Sequence, residues 1–276
     1  MFGSACEADR AVRDALTRTA DAGGADALHS LIREIFGRAL SVPEQAVRHR
    51  RETPSGPWLP EPVLTGGGAL GELTTAGSRE SVSMARLVAL ERLTPAERAA
   101  FVLTECFGYG SAEIAAVLGL SETQCRTLRR RARQRVPASA PGVEPPAPQR
   151  WRWAEDLLRA AARADQAALT ELLADDVVAW SDGGGVPGTV RRPVLGAAKV
   201  GRVLARLITG VPPGTRGRIA EINGDAALLA TAGDTVVGVV APEFGPLGLV
   251  GIRTVADPGR LVFVNRQWSA ADRPAD

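Results

Sequence analysis

Apolar positions in the first forty residues recur three and four apart. Ala11 and Leu16, then Leu28, Leu31, Ile32, Ile35 and Leu40, fall on such stripes, the spacing that lines one face of an α-helix. A second helical block is expected from about Arg79 to Val136. Thr94, Pro95 and Glu97 read as a capping box with proline in the first turn, and Ser121 with Gln124 as another; each pairing satisfies orphan N–H groups at a helix start. From Trp151 the pattern changes. Leu157, Leu158, Ala161 and Ala162 mark one amphipathic helix, Leu169, Leu172 and Leu173 a second, and residues 194–208 a third. Strand-like stretches follow the second helix at 175–182 and the third at 218–222, 226–232, 235–240, 247–256 and 261–267, separated by Asn-Gly, Gly-Asp and Asp-Pro turns. Helices followed by a run of strands predict an α+β domain whose curved antiparallel sheet wraps a long helix. Such a cone encloses a pocket open at one end.

Two joints interrupt these patterns. Residues 53–78, TPSGPWLPEPVLTGGGALGELTTAGS, combine four prolines with a glycine run and exclude regular helix. Residues 137–149, PASAPGVEPPAPQ, are too proline-rich to pack as one element. The chain therefore divides into a helical segment 1–52, a linker 53–78, a helical block 79–136, a second linker 137–149 and an α+β domain 150–270.

The most distinctive stretch is 111–135, SAEIAAVLGLSETQCRTLRRRARQR. It reads as a helix, a tight turn at Gly119 and a second helix opened by Ser121. That second helix carries Arg126, Arg129, Arg130, Arg131, Arg133 and Arg135. Ile114, Ala115, Leu118 and Leu120 supply apolar contacts between the two helices. A helix-turn-helix lays its second helix in the DNA major groove. Thr123, Arg126 and Arg130 are then expected to face bases, and Arg129, Arg131 and Arg133 to contact phosphates. The bland reading of such a charge run is a solvated helix surface. Position behind a capped turn favours DNA.

Bulk numbers refine this picture. The net charge of the 276 residues is only +2, so positive charge is concentrated rather than general. Hydrophobic content of 45% and charged content of 23% suit a globular protein. Cys6, Cys106 and Cys125 have no metal-ligand spacing, and their odd number argues against a disulfide framework. His29 and His49 are the only histidines, which leaves none in the C-terminal half for a triad or zinc site. No signal peptide and no membrane-length apolar run is read, so a reduced cytoplasmic protein without membrane, metal or cofactor is expected.

Residues Leu93–Val136, LTPAERAAFVLTECFGYGSAEIAAVLGLSETQCRTLRRRAR and beyond, resemble region 4 of bacterial extracytoplasmic-function (ECF) sigma factors. Trp58-Leu59-Pro60-Glu61-Pro62, Asp182-Gly183-Gly184-Gly185 and Asp257-Pro258-Gly259-Arg260-Leu261 are similar to the subgroup with a C-terminal SnoaL-like (NTF2-like) domain. The resemblance spans roughly 26–268. It implies promoter DNA and RNA polymerase core as partners, and a Trp58–Pro62 linker that docks against Asp182, Gly183, Gly184 and Gly185. The chain departs from the family in two places. Residues 26–50 match only the last helices of region 2, and the aromatic residues that melt promoter DNA are missing, Phe2 and Phe36 being the segment's only aromatics. Val186 stands where the family ends its glycine turn with lysine. A sigma factor-like regulator deficient in promoter melting is the function these features imply.

An enzymatic alternative rests on the strand 175–182, where Asp176, Val178, Trp180 and Asp182 share a face and alternate with Asp175, Val177 and Ala179. An aspartate beside a tryptophan in an apolar pocket can act as a general acid or base. SnoaL-like and limonene-epoxide-hydrolase-like enzymes use pocket carboxylates and an arginine in that way. Asp176, Trp180, Asp182, Glu221 and Arg253, with Asp234 and Glu243 beside them, would then serve a cofactor-free cyclase, isomerase or epoxide hydrolase. The bland reading makes Asp182 a turn residue and Asp175 a connector. Val237, Val239, Val250 and Ile252 are expected to line the pocket, with 242–248 as a mobile rim and a small apolar molecule as occupant. A third reading is a module that senses such a molecule without DNA or catalysis.

Overall fold

A computed structural model describes residues 4–19, 25–41, 58–66, 83–136, 145–186 and 189–271. The glycine-rich part of the first linker and residues 137–144 of the second lie outside them. Two compact units result: Met1–Glu52 with Ala85–Ala138, and Thr53–Met84 with Ser139–Asp276.

The first unit is helical. α1 (Ala5–Thr19) and α2 (Ala25–Ser41) precede α3 (Met84–Glu91), α4 (Pro95–Glu105), α5 (Ser111–Leu118) and α6 (Glu122–Arg135). Its caps follow the sequence closely. Thr94 accepts from Glu97 N while Glu97 accepts from Thr94 N, and Ser121 and Gln124 repeat the exchange. Gly119 ends α5 at φ +66, a left-handed conformation that side chains other than glycine's resist. Ile32 and Phe36 of α2 share one core with Ala99, Leu103, Ile114, Val117 and Cys125. Helix α2, expected to stand ahead of the linker, thus packs with the helix-turn-helix block, and α1 packs on α2. Arg98 is only 4% exposed, yet its guanidinium bonds the carbonyls of Leu90 and Leu93 and pairs with Glu91 at 3.1 Å. It satisfies backbone acceptors that the end of α3 leaves open.

The second unit holds α7 (Ala147–Ala162), α8 (Gln166–Glu171), β1 (Leu173–Asp182), β2 (Val194–Leu195), α9 (Ala197–Thr209), β3 (Arg216–Ile222), β4 (Asp225–Ala232), β5 (Thr235–Gly245), β6 (Gly248–Val255) and α10 (Val262–Ala271). Six strands lie in the order β2-β1-β6-β5-β4-β3. All neighbours are antiparallel except β1 and β6, which run parallel. Helices α7, α8 and α9 cover one face, with Leu157, Leu169, Val177, Val200, Leu204 and Leu249 in the shared core. This mixed sheet wrapped on helices is the α+β, SnoaL-like architecture.

Three local expectations change. Residues 262–267 form the start of α10 rather than a strand: Leu261, Phe263 and Val264 are buried, and the Asp257–Arg260 turn hands the chain to a helix. Their β-branched alternation is overridden by that packing. Residues 242–245, expected in a mobile rim, continue β5, and Pro242 is tolerated because β4 pairs only as far as Val240. Helix α7 begins at Ala147, so 147–149 belong to the domain and not to the linker.

Candidate nucleic-acid interface, linker clamp and cavity

In the first unit, α6 presents a basic surface. Arg126, Arg129, Arg130 and Arg133 frame one shallow depression together with Gln134, as positions three, four and seven apart on a helix must. Thr123 lies on the same row and its hydroxyl accepts from Arg126 at 3.1 Å. Arg131 falls outside this face. Not all of these side chains are equally free. Arg126 pairs with Glu122 at 3.3 Å, Arg129 donates to the Ser111 hydroxyl at 3.2 Å, and Arg133 pairs with Glu105 at 2.9 Å. Arg130 and Arg131 are exposed and make no ion pair among the described residues. Arg135 points back into the unit. It pairs at 2.7 Å with Glu97, itself only 3% exposed, and so ties the end of α6 to the start of α4.

In the second unit, residues 58–66 lie against the sheet as an extra extended segment. The Leu59 N–H donates to Asp182 Oδ2 at 3.3 Å, and Arg260 reaches the same oxygen at 3.4 Å while standing 5.3 Å from the Trp58 ring centre. Val63 N–H donates to the Asn223 side chain, and Val63 O accepts from Asn223 N–H. Leu64 exchanges two hydrogen bonds with the Gln267 amide. Thr65 bonds Glu221 through both its N–H and its hydroxyl. Leu59, Pro60, Pro62 and Leu64 are buried. The turn that receives this segment needs its glycines. At Gly183 a Cβ would overlap Thr189, and at Gly184, held at φ +55, it would stand 2.8 Å from the Asp257 carboxyl carbon. Burial pushes the Asp182 carboxyl above its ordinary value; the Leu59 N–H and Arg260 oppose that shift and Asp257 adds to it.

A cavity of about 610 Å³ sits between the sheet and the helices. Its walls include Leu157, Leu204, Leu207, Ile208, Leu228 and Val240, and none of its described lining residues has an ionisable side chain. Val237 and Val239 reach it as expected, whereas Ile252 is packed into the core and Val250 is exposed. The residues considered for catalysis are elsewhere. Asp176 is exposed; Arg253 stacks 4.2 Å from the Trp180 ring and pairs with Glu243; Glu221 holds the linker; Asp182 holds Leu59; Asp234 is exposed in the β4–β5 turn. Val177 and Ala179 belong to the helix-covered core, so strand alternation turns Asp176 and Trp180 to the opposite face. The linker's use of Glu221, Asn223 and Gln267 gave no signal in the sequence.

The first unit carries a capped helix-turn-helix with a basic second helix, and the second unit a SnoaL-like fold. Residues 85–136 match the sigma-70 region 4 family model. ECF RNA polymerase sigma factor SigJ of Mycobacterium tuberculosis is 39% identical over 184 residues, 66% of this chain and 59% of SigJ. SigI of the same organism is 32% identical over 184 residues, 66% of this chain and 60% of SigI. The crystal structure of M. tuberculosis SigJ superposes with a TM-score of 0.69 at 27% identity, covering 95% of this chain and 92% of that one. Over the matched residues this chain is similar to these ECF RNA polymerase sigma factors. Its sequence match spans about three fifths of the length of these two relatives. No helix among the described residues is long and apolar enough to cross a membrane.

Proposed function

We propose that this protein is a cytoplasmic transcription regulator of the ECF sigma type. Region 4 binds −35-type promoter DNA through α6, RNA polymerase core is its protein partner, and the SnoaL-like domain modulates the complex through the 58–66 segment. The observation that carries this reading is the single basic face of Arg126, Arg129, Arg130 and Arg133 on a helix opened by the Ser121 cap. Thr123, Arg126 and Arg130 read bases, while Arg129 and Arg133 hold phosphates, with Arg131 reaching the backbone from the flank. Promoter melting is weak in this reading, because the 26–50 segment that resembles region 2 carries Phe36 as its single Phe, Tyr or Trp residue.

Selection from a random pool of short duplexes with the full-length chain tests the reading. One enriched motif, lost in an Arg126→Ala/Arg130→Ala variant, supports it. A pool that stays random contradicts it. An enzyme with carboxylate acid–base chemistry is not favoured, since Asp176, Trp180, Asp182, Glu221 and Arg253 do not line the cavity.

A further inference from the structure

We propose that the cavity of the second unit takes a neutral, mainly apolar small molecule with one hydrogen-bonding group, and that the 58–66 linker reads its occupancy. The proposal deepens the reading above, in which the SnoaL-like domain acts through that linker.

The walls decide the ligand's class. An ion brought into a cavity without ionisable residues loses its hydration and gains no counter-charge, a cost of several kcal/mol. Leu204, Leu207, Ile208 and Leu228 instead offer apolar contact on both the helix and the sheet side. About 610 Å³ falls within the range of small-molecule sites, roughly 300–1,000 Å³. One polar group stands ready. Thr254 lines the cavity, is 5% exposed, and its hydroxyl makes no hydrogen bond among the described residues. Asn265, half-buried at the wall, is already engaged: its amide accepts from Val236 N–H at 2.7 Å and donates to Val236 O at 2.9 Å. Thr254 is therefore the anchor for a carbonyl, hydroxyl or amine on the ligand.

The same walls reach the linker. Val186 lines the cavity four residues after Asp182, which holds Leu59. Pro258 and Leu261 line it on either side of Arg260, which holds Asp182 and covers Trp58. Asn265 lines it two residues before Gln267, which bonds both polar backbone groups of Leu64. Three short segments thus each put at least one side chain into the cavity wall and another onto the linker. A molecule that fills the cavity buttresses all three and slows opening of the linker contacts.

The test uses the full chain and two fluorescent probes of one scaffold. N-phenyl-1-naphthylamine is neutral, and 8-anilino-1-naphthalenesulfonate adds a sulfonate. The neutral probe should bind saturably and about tenfold more tightly than the sulfonate. Thr254→Val should weaken it about threefold to tenfold, and Ala230→Phe, which fills the cavity, should abolish it while preserving the circular dichroism spectrum. Leu207→Phe repeats the filling from the helix side should Ala230→Phe not fold. Hydrogen exchange of the amides in 58–66 should slow about threefold or more with the neutral probe bound. Equal binding of the two probes, or binding indifferent to the filling variants, overturns the ligand class. Binding lost on filling but without slower linker exchange overturns the coupling. DNA binding by α6 is measured separately, so its failure would sink the regulator reading and leave these results standing.

Discussion

The Leu59 N–H and the Asp182 carboxylate, 123 positions apart in the chain, meet at 3.3 Å in a site where Asp182 is 4% exposed. Asp182→Ala leaves a buried donor unpaired and removes the partner of Arg260. The expected cost is about 1–3 kcal/mol, with faster hydrogen exchange across 58–66. Asp182→Asn keeps an acceptor for Leu59 and should lose less. Thermal unfolding and exchange on the two variants check both statements.

Titration of Asp182 has a definite sign. Burial, the dominant cause, holds its carboxyl above the ordinary value in the folded protein. The folded state therefore keeps this proton at a pH where the unfolded chain has released it. Its favourable contribution is complete below the unfolded value of about 4 and is lost as pH rises through the raised folded value. Denaturant midpoints measured along that window should fall in the wild type by this contribution, and the fall should shrink in Asp182→Asn.

Arg130 and Arg135 lie on one helix and should behave oppositely. Arg130→Ala removes an exposed cation that has no ion-pair partner among the described residues, so stability should hold while affinity for the preferred duplex and its discrimination against other sequences fall. Arg135→Ala takes the cation from the buried Glu97, which keeps the Thr94 N–H; this should destabilise the first unit by about 1–3 kcal/mol and leave the salt slope nearly unchanged. Unfolding midpoints and anisotropy titrations on the same two variants separate the roles.

Gly184→Val introduces a branched side chain at φ +55 against the Asp257 carboxyl. The expected loss is about 1–3 kcal/mol, with the linker contacts weakened because Asp182 sits two residues away. Calorimetry of the variant gives the first quantity, and exchange of 58–66 gives the second.

Much of this was legible where local chemistry repeats a known physical device. The capping pairs Thr94–Glu97 and Ser121–Gln124, the left-handed Gly119 and the basic row of α6 are all local, so residue order alone exposes them. The Leu261–Gln267 segment misleads because the short apolar run Leu261–Val264 fits a buried strand as well as the first turn of a buried helix. The carboxylates mislead for a related reason. Period two places Asp176, Trp180 and Asp182 on one face, but nothing in the sequence says which face the helices cover. The grip of Asn223 and Gln267 on residues 63 and 64 joins positions 160 and 203 apart, beyond any local pattern.

The central claim is that α6 is a working DNA-binding surface, and a salt titration tests it most directly. Fluorescence anisotropy of a labelled duplex should report affinity that falls steeply with salt in the wild type. In Arg131→Ala/Arg133→Ala, which removes two of the proposed backbone contacts, the slope of log affinity against log salt should be shallower by about two. A wild type without salt-dependent binding, or a double variant with an unchanged slope, would contradict the account.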